Sequence, residues 1–174
     1  LRKHDLPFEF PKAVIDEAAK LPEEVIVDRD LGKREDLRDL PLVTIDGETA
    51  KDFDDAVFAE PDDDPANPGG FHLIVAIADV AAYVHEGSSM DREARLRGNS
   101  VYFPDRVVPM LPERISNDLC SLRPDEDRAA LAMRLVIGAD GRVKKHTLHR
   151  ILMRSHAKLA YEHAQHIIDS DERT

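Results

Sequence analysis

The sequence has one cysteine, no tryptophan and few aromatic residues of any kind, 5% of its 174 positions. A lone thiol, Cys120, excludes an internal disulfide, and its setting NDLCSL suits a small buried side chain rather than a nucleophile. Long apolar runs are missing too. None approaches the roughly 20 residues that cross a bilayer, and LRKHDLPFEF lacks the basic-then-apolar order of a signal peptide. The expectation is a cytoplasmic protein with no membrane partner. Positive charge is also short: 24 Lys and Arg against 35 Asp and Glu leave a net charge of −11. That balance excludes a free-standing grip on phosphates through a broad basic surface, so a nucleic-acid partner would need bound cations, a local basic patch or further domains.

What is present is a composition of 42% apolar and 34% charged residues with 11 prolines, which belongs to one globular domain with irregular connections. The first residue is not Met and the end, DSDERT, closes nothing, so a segment of a longer protein is expected. PKAVIDEAAKL, following a proline, places Val14, Ile15, Ala18, Ala19 and Leu21 at helical spacing. LGKREDLRDLP reads as a surface connection. Three apolar runs, PLVTID, DAVFAE and FHLIVAIAD, read as strands of a central sheet, with PDDDPANPGG a loop between the last two.

SSMDREARLRG carries acidic residues early, arginines late and Gly98 at its close, the pattern of a capped helix. SVYFP reads as a short strand, and RVVPMLPERISNDLCSLRPDED as a long irregular connection with one helical turn near ISNDLCSL. Asp140-Gly141 between two strand-like runs predicts a hairpin. SHAKLAYEHAQHIID reads as a closing helix with Ser155 as its cap. The class expected is α/β to α+β, a mixed, largely antiparallel sheet with flanking helices.

The segment TIDGETAKDFDD gathers Asp46, Asp52, Asp54 and Asp55 between apolar strands. Carboxylates crowded together repel, and hiding them unpaired costs several kcal/mol each. One aspartate alone is best read as a turn residue, but four together point to a divalent cation, for which Mg²⁺ with its preference for carboxylate oxygen and water is the natural choice. In an extended DFDD, Asp52 and Asp54 would share one face while Phe53 and Asp55 took the other, so convergence requires a bend near 52–55. The glycine-bearing GETAK is short enough to fold Asp46 back beside them. The calcium-loop order of ligands is absent. A metal pair at such a site can activate water and hold a scissile phosphodiester. The histidines His146, His149, His156, His163 and His166 lack partners at zinc-site spacing.

The stretches DLRDLPLVTIDGETAKDFDDAV, HLIVAIADVAAYV, MDREARLRGNSVYFPDRVVPMLPERISNDLCSL and SHAKLAYEHAQ, in this order, resemble the ribonuclease II superfamily, most closely its ribonuclease R branch. The resemblance covers essentially the whole chain. It implies an RNB-type catalytic domain, incomplete here: residues 1–36 a linker and helix before it, 37–174 its N-terminal part. It implies Mg²⁺-dependent, processive 3′-to-5′ hydrolysis of single-stranded RNA to nucleoside 5′-monophosphates, with one or two ions and Mn²⁺ as a substitute. By the same resemblance Asp46 and Asp55 hold a metal with the scissile phosphate, and Asp52 with Asp54 hold a second ion, Asp54 being the least replaceable. The resemblance also implies that Tyr102 packs against a nucleotide at the RNA 3′ end, where the residues alone read equally as a core tyrosine in a short strand.

The family's preceding cold-shock domains, its following S1 domain and the later half of its catalytic domain are not in this sequence, so the chain alone is expected to be inactive. Arg92, Arg95, Arg97 and Arg106 bracket the Tyr102 segment and are candidates for phosphate contact, although a solvated helix face explains most of them. Two other readings stand beside the enzyme: a catalytically silent RNA-binding or regulatory protein of the same fold, which has no need of four aspartates, and a Mg²⁺-dependent DNA nuclease.

Overall fold

A computed structural model describes residues 7–22 and 34–170. The first helix, α1 (Lys12–Ala19), starts directly after Pro11, whose fixed φ of −55° suits a helix entry. Val14 and Ala18, one turn apart, are its buried pair, while Ile15 stays 47% exposed. Part of the stretch read as a plain connection, Glu35–Asp36, is instead a short strand, β1; the start of that stretch, 31–33, lies outside the described residues. The first three predicted strands follow as β2 (Val43–Asp46), β3 (Asp55–Pro61) and β4 (Phe71–Ala78).

Helix α2 (Ser89–Arg97) has the anticipated ends: Ser88 Oγ accepts the Asp91 amide at 3.1 Å, and Gly98 leaves the helix at φ 76°. The SVYFP strand is β5 (Val101–Phe103), and it turns at once into β6 (Arg106–Val108), a strand within what the sequence suggested was irregular. Arg114–Leu119 forms a single π-helical turn. The long hairpin is β7 (Asp127–Ile137) and β8 (Val143–Arg154), with Gly141 at φ 78° in its turn, a conformation that glycine adopts without strain.

The chain's last part departs from expectation. Residues 157–160 are not helical but a strand, β9 (Ala157–Ala160), and α3 (Tyr161–Ser170) starts only after it. Ser155 does not cap a helix; its hydroxyl donates to the Ala157 carbonyl at 3.1 Å. The reason lies over 100 residues away: β2 has an open edge, and β9 takes it in parallel register from Val43↔Ala157 to Asp46↔Ala160. The demand of unpaired backbone groups outweighs the good local helix propensity of Ala-Lys-Leu-Ala.

Among the described residues seven strands thus form one mixed, largely antiparallel sheet in the order β1-β8-β7-β4-β3-β2-β9, with parallel pairs only at its two ends. The β5-β6 ribbon stands apart. On one face Ala56, Ala76, Ala78, Ala130 and Ala132 are buried. Their small side chains let α1, α2 and the π turn pack closely, through Val14, Met90, Ile115 and Leu119. The other face is apolar but open: Ile77 pairs with Leu131 and Met133 with Leu148, and these are 47%, 43%, 37% and 70% exposed.

Candidate active site

Asp46 ends β2, and a tight turn follows in which the Ala50 amide donates to the Gly47 carbonyl at 3.0 Å. Lys158 on β9 holds this turn from outside, its ammonium donating to the Glu48 and Ala50 carbonyls at 3.1 and 3.3 Å while lying 4.8 Å from the Phe53 ring centre. The chain is then clamped from the far side. Ser121 Oγ accepts the Phe53 amide at 3.1 Å and donates to the Lys51 carbonyl at 2.8 Å, and the Leu122 amide donates to the Phe53 carbonyl at 2.8 Å.

This clamp fixes the bend that the parity of DFDD demanded. Phe53 and Ala56 are both buried although three residues apart, so the two-residue alternation is broken at Asp54 and Asp55. Neither Ser121 nor Lys158 was evident beforehand, because each acts on backbone carbonyls and leaves no sequence pattern.

The bend brings the predicted set into one electrostatic field. Asp54 has its pKa raised, first by desolvation, then by the charges of Asp52, Asp55 and Asp46. All three neighbours push the same way. Among the described residues no three Asp, Glu, His or Cys side chains are drawn round one point at ligand spacing, so the four share a field without forming a closed cage. The donor set still fits a hard cation: every side chain is a carboxylate, and the crowding of like charge at Asp54 is relieved by a positive ion there.

Two adjoining clefts share Asp52, Asp54 and Tyr102. One, of about 750 Å³, also reaches Asp46 and Arg106; the other, of about 310 Å³, has apolar walls including Ile77, Met110 and Cys120. Asp55 lines neither cleft. Tyr102 is 66% exposed, and its hydroxyl donates to Asp52 at 3.1 Å. Burial, then that bond and the neighbouring carboxylates, raise its pKa and keep the phenol protonated. The ring is therefore tied to the aspartates by its tip with its body in the open.

Other candidates, among them Cys120 and Arg106 on the cleft walls, are buried or paired. Cys120 is buried as expected, and burial first, then Asp54, push its thiol up to about 12. Of the bracketing arginines, Arg95 pairs with Asp91 and Arg106 with Asp105, while Arg97 is turned inward with a side chain 2% exposed. The acidic loop is satisfied internally: Asp62 accepts from the Asn67 amide group and the Asp64 backbone, which lower its pKa, and lies 3.1 Å from His72.

Residues 34–174 match the RNB domain family. The chain belongs to that family. Ribonuclease R of Escherichia coli is 49% identical over 172 residues, which are 99% of this chain and 20% of that protein. The chain therefore spans about a fifth of the length of this curated relative. A solved Mycoplasma genitalium RNase R in complex with double-stranded RNA superposes with a TM-score of 0.89 at 34% identity, covering 99% of this chain and 30% of that one. Yeast Ssd1, described as a pseudonuclease, shares the fold at a TM-score of 0.70 and 22% identity over 82% of this chain and 17% of its own. The RNB fold and the observed mixed sheet therefore agree, and function must be argued from the aspartates.

Proposed function

We propose that this RNB chain supplies the acidic centre of a Mg²⁺-dependent 3′-to-5′ exoribonuclease that degrades single-stranded RNA processively to nucleoside 5′-monophosphates. The observation that carries the reading is the raised pKa of Asp54 among Asp52, Asp55 and Asp46, in a cleft whose edge is an exposed tyrosine bonded to Asp52. Asp46, Asp52, Asp54 and Asp55 would hold one or two ions, with Mn²⁺ able to replace Mg²⁺. Bound there, such ions activate water and neutralise charge on a scissile phosphate.

The residues of the chain do the remaining work. Tyr102 offers its ring to a base near the RNA 3′ end, an interaction that tolerates any sequence, and its hydroxyl orients Asp52. Ser121 and Lys158 hold the backbone on either side of the bend, so the carboxylates stay gathered despite their repulsion. With a net charge of −11, the RNA grip comes from elsewhere in a longer cytoplasmic polypeptide, through cold-shock and S1 domains, and the 174 residues alone do not turn over.

The test uses the intact polypeptide with 5′-labelled single-stranded RNA and a matched DNA. Stepwise shortening of RNA with Mg²⁺, abolished by chelation and by Asp54→Asn while RNA binding persists, is the expected result. Undiminished cleavage by Asp54→Asn sinks the assignment. Binding without cleavage by the unaltered protein would favour the silent reading, and preference for DNA would favour the DNA nuclease.

A further inference from the structure

We infer that Arg97 is a positioning residue, tying the segment before the RNB match to the ribbon that presents Tyr102. This inference rests on the RNA reading of Tyr102. Among the described residues the β5-β6 ribbon pairs with nothing but itself, and a lone two-stranded hairpin has little stability of its own in water. Its placement over Asp52 therefore depends on what grips its base. One grip is local: the Met110 amide donates to Ser100 Oγ at 3.0 Å, closing the open end. The other is Arg97.

Arg97 sits at the last position of α2 with its side chain 2% exposed, and its guanidinium is engaged on every side. Nε donates to Glu93 at 2.9 Å, one Nη donates to the Pro109 carbonyl at 3.1 Å just beyond β6, and the other donates to the Glu9 carbonyl at 2.8 Å. The Phe10 ring centre lies 3.7 Å from the guanidinium carbon. One planar group thus joins residues 9–10, α2 and the foot of the ribbon. Its fork points at three separate acceptors, which a lysine ammonium on a flexible stem cannot reproduce.

The same N-terminal segment is fastened to α2 and to the π turn elsewhere. Glu17 accepts both the Ser89 and Met90 amides, at 2.8 and 3.1 Å, at the start of α2, and Arg114 donates to the Leu21 carbonyl at 2.8 Å. Residues 9–21, which precede the matched domain, therefore form a brace behind the nucleotide-facing ribbon. Arg97 is the point at which brace and ribbon meet directly.

The experiment compares the 174-residue chain with Arg97→Lys, Phe10→Leu and Glu93→Gln. It records the Tyr102 ring signals by NMR, assigned with Tyr102→Phe, and the affinity for a five-nucleotide single-stranded RNA. Arg97→Lys should shift the Tyr102 ring signals and leave those of Tyr161 in place. It should weaken the oligonucleotide on the order of fivefold, the low end of what one base stack supplies, with no further loss in a Tyr102→Ala background.

Glu93→Gln keeps the Pro109 and Glu9 contacts and should leave Tyr102 unmoved. A folded Arg97→Lys with unshifted Tyr102 signals, or with equal losses in both backgrounds, overturns the assignment. If Arg97→Lys does not fold, Phe10→Leu decides by the same Tyr102 signals: a shift supports the brace, none refutes it. Oligonucleotide binding that Tyr102→Ala leaves as tight as in the unaltered chain counts against the RNA reading alone, because the ring signals still decide the role of Arg97.

Discussion

Asp54→Asn removes the carboxyl on which the site's repulsion converges. Desolvation and three neighbouring carboxylates raise its folded pKa above the ordinary value. A raised carboxyl pKa means that stability is fully present below the unfolded value near 3.9 and is lost as the pH rises through the folded value. At neutral pH without divalent ions, the ionised Asp54 is therefore a cost. Because the residue keeps an exposed side, the gain for Asn is discounted to about 0.5–1 kcal/mol, or ~1–4 °C in Tm for a chain of this length. Near pH 3.5 the two proteins should converge.

Adding Mg²⁺ changes the order. An ion bound only by the folded chain stabilises it by RT ln(1 + [L]/Kd), about 1.4 kcal/mol at ten times Kd, and the Asn variant forfeits most of that. Thermal unfolding followed by circular dichroism at pH 7.5, with chelator and then across a Mg²⁺ series, reads both effects. A variant less stable than the parent in chelator, or an equal Mg²⁺ gain in both, refutes the reasoning.

Ser121→Ala deletes the clamp at the bend and leaves the Phe53 amide and Lys51 carbonyl without a partner, at a cost of about 1–3 kcal/mol in urea unfolding and with a smaller Mg²⁺ shift in Tm. Tyr102→Phe keeps the ring and loses only the Asp52 bond, so affinity for a short RNA should stay within about twofold; Tyr102→Ala should lose about 1–3 kcal/mol by fluorescence titration. The open apolar sheet face, with Leu148 70% exposed, should give concentration-dependent association in sedimentation, and Leu148→Glu should suppress it while leaving Tm unchanged.

Where structure follows from neighbours along the chain, it was legible. Ser88 and Gly98 mark the ends of α2 because caps act within one turn, and Asp140-Gly141 marks the hairpin because its turn type demands such residues. The aspartates stood out because crowded like charge is itself a local anomaly, and the alternation rule even required the bend. What escaped depends on distant partners. AKLA at 157–160 has no strand pattern of its own and becomes one only because β2 offers an edge. β6, between Pro104 and Pro109, forms by pairing with β5. Ser121 and Lys158 look like any surface-loop serine and helix lysine until the carbonyls that they hold are in place.

The claim beneath the whole reading is that the aspartates between β2 and β3 are a divalent-cation site rather than a tolerated repulsion. Mn²⁺ suits the same oxygen ligands as Mg²⁺ and broadens nearby NMR signals. Titrating it into the labelled chain tests the claim most directly. A site at the aspartates predicts broadening centred on residues 46–55 and on Tyr102, saturating at one or two ions and lost in Asp54→Asn. Broadening centred on the acidic loop 62–64, or a pattern that Asp54→Asn leaves unchanged, would contradict it.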